Sequence, residues 1–352
     1  MPSALDRPEA CSPPSPPRKA RPSRARALLL ASVVVVLWGV SFPVSRVAVR
    51  EIPPLALATG RFALATALLW PAARRRAPSL ERADLPTVFL LGLFGVTLYF
   101  ALENYGLVFT SASHASLIVA TVPLGSAAVE AVRRRRAPRP FSLVGMAIAA
   151  AGVITIVRPD GGAGRRGLLG DALVLGAMAA WVAYTFLARD LMARYPALLV
   201  TAATMAAGAA TLLPLAVIES FFRPLPAPSP GALAALAYLG LLCSAAGYLL
   251  WNLALPVLGV SVANNLLNGI PLVSVLVGVL ALHEPWTSTI AVGGLLILAG
   301  VVIVERTGRE GRRAAFGRAL GSRPASPPFT PDPAPRGTIR QRRLTGCHRL
   351  FR

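Results

Sequence analysis

Leu91–Leu107, LGLFGVTLYFALENYGL, returns 148 residues later (91 against 239) as Leu239–Leu255, LGLLCSAAGYLLWNLAL. Gly92 matches Gly240, Leu102 matches Leu250, Asn104 matches Asn252 and Leu107 matches Leu255. The correspondence runs on to Gly152 and Gly300, through Ser113 and Ser261, Pro123 and Pro271, and Gly145 and Gly293. Both copies are almost wholly apolar. A duplicated apolar unit points to a membrane protein built from two halves, a plan that places a binding site between them.

Composition agrees. Hydrophobic residues make up 55% of the chain and charged residues 14%, against about 25% charged in a soluble domain. Apolar windows of about 20 residues, each enough to cross a bilayer core of about 30 Å, recur along the chain. Ten spans are expected, at 27–49, 53–72, 87–108, 111–132, 141–158, 168–188, 197–218, 231–252, 259–281 and 288–305. Residues 1–26 read as a disordered cytoplasmic tail, 159–167 as a loop joining two five-helix repeats (27–158 and 168–306), and 307–352 as a disordered, basic cytoplasmic tail. The first apolar run exceeds the 7–15 residues of a signal-peptide core, so it reads as a span.

The net charge of +21 resides in tails and short loops. Arg74–Arg76, Arg133–Arg136, and Arg189 with Arg194 fall on one side, together with the basic flanks of both termini. That is the positive-inside pattern, so both termini are expected in the cytoplasm of a bacterial inner (cytoplasmic) membrane. Nucleic acid is not an expected partner, because no basic recognition element accompanies the charge. Five spans per repeat is an odd number, which inverts the second copy relative to the first. The expected fold is an all-α polytopic bundle of ten helices in two inverted five-helix repeats.

Several motifs in order are similar to the EamA-type branch of the drug/metabolite transporter superfamily. The first half has Trp38-Gly39, Phe42, Arg46, Pro53-Pro54, Arg61-Phe62, Ala112-Ser113, Ala115 and Pro123. The second has Leu239-Gly240, Ser244, Trp251, Ala263, Pro271, Gly278 and Glu284-Pro285-Trp286-Thr287. The resemblance covers about 27–305. It implies a secondary transporter that exports, or sometimes imports, a small metabolite such as an amino acid, without ATP hydrolysis; export is the expected direction, and the asparagines, serines and aromatics suit a neutral or zwitterionic solute. Two departures stand out. The position thirteen after Pro123 is Arg136, where the second half has Glu284, and the first-helix basic residue, usually Lys in the family, is Arg46. No phosphate loop is present, and neither a cofactor nor a metal is expected; Cys11, Cys243 and Cys347 lie too far apart for a ligand spacing.

Polar groups inside the bilayer face a cavity or another helix. Ser261, Asn264, Asn265 and Asn268 form one polar stripe on the ninth span, with Pro271 a turn later. Ser113 and Ser116, with Pro123, are the matching set on the fourth. These read as facing walls of a central cavity, or as interhelical hydrogen bonds. Asn104 and Asn252 are repeat mates, flanked by Glu103 and Trp251, with Tyr99 and Tyr248 near by. They suit a flat or amphipathic solute, or an interfacial aromatic belt. Arg61, about eight residues into its span, needs a partner; Glu103 at similar depth is the expected one, as an anchor for a zwitterion or as a structural pair. Trp38 and Trp181 line the cavity or pack the core. His114 reads as a proton relay or as an interfacial histidine. Gly145, Gly152, Gly293 and Gly300 read as close helix contacts, within the fold or in a homodimer.

Energy would come from a proton gradient or from solute gradients alone; the residues leave both open. The expected partners are a small-molecule substrate and the lipid bilayer. An intramembrane protease would need a serine and a histidine at one depth, and Ser244 with His283 is the loosest of pairs. A passive channel and a sensor are further alternatives.

Overall fold

The computed structural model describes residues 22–76, 79–133, 135, 140–157, 164–224 and 227–321. Every regular element among them is helical. In chain order these are α1 (Arg24–Ala48), α2 (Pro54–Arg76), α3 (Arg82–Phe109), α4 (Ala112–Arg133), α5 (Pro140–Val157), α6 (Gly164–Met192), α7 (Ala197–Phe222), α8 (Pro230–Leu258), α9 (Val262–Leu282) and α10 (Ser288–Gly321). Eight of them are long and apolar enough to cross a membrane. The apolar parts of α5 and α10 are shorter, Leu143–Thr155 and Ser288–Ile303.

Local sequence sets the ends. Ser23, Ser111 and Ser229 cap α1, α4 and α8, each hydroxyl accepting the backbone N–H three residues on. Gly259, at φ 77°, reverses the chain between α8 and α9, a conformation that favours glycine. α10 runs to Gly321, past residue 306, where sequence reading starts a disordered tail. The segment holds Ala314, Ala315 and Ala319 with Arg309, Arg312, Arg313 and Arg318, good helix formers spaced among four glycines. By contacts the chain divides into Met1–Gly308 and Arg309–Arg352; in the second unit, only the end of α10 is described.

Two kinds of interruption recur at the repeat spacing. α4 breaks at Ala120–Thr121 before Pro123, and α9 passes through a 3-10 turn, Leu267–Gly269, before Pro271. Proline lacks the N–H that would continue the helix, which explains both breaks. In addition, α3 widens to a π-helix over Leu93–Leu98 and α8 over Tyr238–Gly247.

Apolar side chains face outward as well as inward: Leu29, Val36, Leu68, Phe89, Leu276 and Leu280 are all exposed. A helix apolar all round belongs in lipid. Inside, helices of the first half lie against helices of the second: α1 on α8 and α9, α2 on α7 and α8, α3 on α6 and α7, α4 on α6 and α9. The contact between α5 and α10 is reciprocal. A Cβ on Gly152 would sit 2.7 Å from the Gly293 carbonyl oxygen, and one on Gly300 would collide with the Gly145 carbonyl. The expected close approach of these glycines therefore occurs within one chain.

Candidate functional site

The helix interruptions surround a cavity at mid-length of the bundle. It is lined by α1 (Trp38, Ser41, Phe42), α2 (Arg61), α3 (Tyr99, Phe100, Glu103), α4 (Val119, Val122), α6 (Met178, Trp181), α8 (Tyr248) and α9 (Leu267, Ile270). Its lining, mostly aromatic and apolar with a few polar groups, is of the kind that binds a small organic solute.

The aromatic wall is built of edge-to-face and tilted ring pairs. Trp38 meets Trp181 at 5.3 Å between ring centroids and Tyr248 at 5.5 Å; Tyr99 meets Trp181 at 5.7 Å. The π segments hold this wall in place. Their wider turns present carbonyls to side chains: the Trp38 indole N–H donates to the Cys243 carbonyl at 3.0 Å, and the Tyr248 hydroxyl donates to the Gly95 carbonyl at 2.8 Å.

Arg61 and Glu103 are each 2% exposed. Arg61 Nε donates to Ser244 Oγ at 3.0 Å, and its guanidinium carbon lies 4.2 Å from the Phe100 ring centroid and 5.5 Å from that of Phe62. The expected Arg61–Glu103 ion pair is not formed among the described residues. Stacking on Phe100 and the bond to Ser244 hold the guanidinium instead. As a result Arg61 Nη1 and Glu103 Oε2 are both buried without a hydrogen-bond partner, at the edge of the same cavity.

Of the residues singled out from sequence, the structure brings Trp38, Trp181, Arg61 and Glu103 together in the cavity wall. It places the amides and serines elsewhere. Asn104 Nδ2 donates to the Pro54 carbonyl at 2.9 Å. Asn252 donates to Thr201 at 2.8 Å and accepts from the Tyr184 hydroxyl at 3.2 Å. Asn264 donates to Ser126 at 2.9 Å, tying α9 to α4. These are interhelical bonds, which offset part of the cost of burying an amide, while Oδ1 of Asn104 and of Asn264 is buried without a partner. Ser116 donates back to the Ser113 carbonyl at 2.9 Å. Asn268, on the 3-10 turn beside Leu267, is partly buried, and its Oδ1 has no partner. The side chains of Asn265 and Ser261 lie outside the described residues. Ser244 and His283 do not pair: Ser244 holds Arg61, and His283 is exposed at the end of α9. Sequence reading missed Ser41, Phe42, Phe100 and Met178 in the wall, since an apolar or small residue in an apolar span carries no sign of which way it points.

Acidic residues of the second half close one end of the bundle. Glu284, just beyond α9, accepts the backbone N–H of Ala112 at 2.9 Å and of Ser113 at 3.1 Å, and also the Ser113 hydroxyl. Glu219 of α7 accepts the N–H of Leu55 at 2.8 Å and of Ala56 at 3.1 Å, and the Tyr105 hydroxyl at 2.7 Å. Each carboxylate thus sits on the positive N-terminus of a first-half helix, α4 or α2. At the same end, His114 Nδ1 lies 3.6 Å from Asp171, and Arg46 donates to the carbonyls of Leu107 and Val108.

Comparison with known proteins accounts for this architecture. The model of the EamA-like transporter family matches twice, over residues 25–158 and 168–306. A probable terminal-alkyne amino-acid exporter of Streptantibioticus cattleyicolor is 33% identical over 295 residues, covering 83% of this chain and 97% of that protein. An uncharacterized transporter of Archaeoglobus fulgidus is 31% identical over 278 residues, covering 79% and 98%. A solved crystal structure, 22% identical, superposes with a TM-score of 0.60 over 85% of this chain and all of its own, which speaks for the fold. With both halves matched across nearly the whole helical region, the chain is a multi-pass membrane protein and belongs to the EamA-like transporter family, a family of transporters rather than enzymes.

Proposed function

We propose that this chain is a secondary transporter that exports a small neutral or zwitterionic metabolite, an amino acid or close relative, by alternating access. The observation that carries the reading is the central cavity, where a buried guanidinium and a buried carboxyl each keep one polar atom unpartnered amid aromatic rings. An α-amino acid presents one carboxylate and one ammonium, the complement of that pair, and the rings suit an apolar side chain. Trp38, Trp181, Arg61 and Glu103 are the proposed contacts, with Asn268 near by. The exporter of S. cattleyicolor named above supports the substrate class.

The fold proposed for this carrier has ten crossings in two inverted halves. Three features support it: the 148-residue repeat, the matched interruptions in α3/α8 and α4/α9, and the reciprocal glycine contact of α5 and α10. A twofold axis makes residue i meet j where its mate meets the mate of j. The arginine bias supports cytoplasmic termini in a bacterial inner membrane.

The test is an untargeted comparison of extracellular metabolites from cells expressing wild type, Arg61→Gln or an empty vector, at matched membrane levels. A solute enriched by wild type and not by Arg61→Gln is the expected result. Equal enrichment by both proteins removes Arg61 from the site, and no enrichment by wild type rejects export.

A further inference from the structure

Glu103 is a buried carboxyl with no counter-charge in contact. Its Oε2 has no hydrogen-bond partner, and it forms no ion pair among the described residues. Arg61, whose charge reaches Glu103, makes no contact with it: Ser244 takes its Nε–H, the faces of Phe100 and Phe62 meet its charge, and Nη1 is left free. The other ionisable groups near Glu103 are Tyr99 on its own helix and Tyr248 and Cys243 on α8, with Tyr184 of α6 behind Tyr248. None of them is a cation. Helices α1 and α4 present only Trp38, Ser41, Phe42, Val119 and Val122 to the cavity, and these do not titrate. A buried carboxylate that Arg61 attracts without touching is costlier than the neutral acid.

We propose that Glu103 is the site at which a proton and the solute's ammonium group exchange. This rests on the amino-acid reading above. With the cavity empty of solute, the carboxyl holds a proton on oxygen. When a zwitterion enters from the cytoplasmic side, its carboxylate binds Arg61 Nη1 and its ammonium displaces that proton, which leaves to the cytoplasm. After the solute departs outside, the carboxylate takes a proton from the outer solution. Each cycle moves one zwitterion out and one proton in. Because the zwitterion carries no net charge, one positive charge enters per cycle, so an acidic exterior and a negative interior both drive export.

The experiment is infrared titration of the full chain reconstituted in lipid, with an equimolar mixture of neutral L-amino acids as probe. Wild type is expected to show a carboxylic-acid carbonyl band that fades as pH rises and is lost when the mixture is added. Glu103→Gln is expected to lack the band. Glu103→Asp, which keeps the acid, is expected to show it at a shifted frequency, and this control remains informative if the glutamine variant fails to fold. A titration in which wild type shows no band absent from Glu103→Gln overturns the proposal, as does a band that the mixture leaves unchanged. The transporter reading fails separately: cells that release no solute reject it whatever the spectrum shows, and cells that release solute while the band is missing reject only the proton exchange.

Discussion

Arg61 lies in an apolar span, and its guanidinium is fixed on one edge by Ser244 and on one face by Phe100, with Nη1 left over. Lysine keeps the charge but is a point donor without the planar fork that meets all three needs. Arg61→Lys is therefore expected to cut solute release at least about tenfold, the equivalent of ~1.4 kcal/mol, while the protein still elutes as a single folded species. Release at the wild-type rate would show that the fork is not used. His114 offers the contrast. It caps no cavity group and faces Asp171 at the bundle end. In His114→Gln the dependence of release on external pH should persist, whereas in Glu103→Gln it should vanish; a profile abolished in His114→Gln would move the relay to the bundle end.

The helices show how far residue types reveal element geometry. That α5 and α10 each make a close helix contact is legible in the sequence, because glycines seven apart at matched places have few uses other than close approach; that they make it with each other is not. Gly300→Val should drive a side chain into the Gly145 carbonyl and cost about 1–3 kcal/mol, read as a lowered Tm. An unchanged Tm would mean that the crossing relaxes freely. The breaks before Pro123 and Pro271 are legible for the same kind of reason. The amides are not: in an apolar span, Asn252 reads equally as a cavity wall or as a bond to a neighbour, and only packing decides. Here it bridges Thr201 and Tyr184. Asn252→Leu should cost about 0.6–1.7 kcal/mol and lower Tm by a few degrees, leaving the release specificity unchanged; a changed specificity would return Asn252 to the cavity. The π segments left no trace in residue type, since a one-residue shift in hydrogen-bond register needs no particular side chain.

At the scale of the molecule, the two halves are fastened at one end by carboxylates on backbone N–H groups and share a cavity at mid-length. A third contact of that kind, Glu51 with the Ser229 N–H at 3.0 Å, joins the α1–α2 loop to the start of α8 outside the spans. The N–H and hydroxyl of Ser229 hold the Glu51 carboxyl below its usual range. Its folded value is lower than its unfolded one, so its contribution is present above the unfolded pKa and is lost as pH falls through the folded one. Glu51→Gln should flatten the acid side of the Tm–pH curve; an acid limb identical to wild type would show that this contact contributes nothing. Alternating access exposes Ser41, 6% exposed in the cavity wall, to each side of the membrane in turn. Ser41→Cys, with Cys11, Cys243 and Cys347 replaced by alanine, would be treated with a membrane-impermeant maleimide in intact cells and in inverted vesicles. Labelling is expected from each side, with no passage of the reagent through sealed vesicles. Labelling from one side alone, or leakage of the reagent across the membrane, would contradict it.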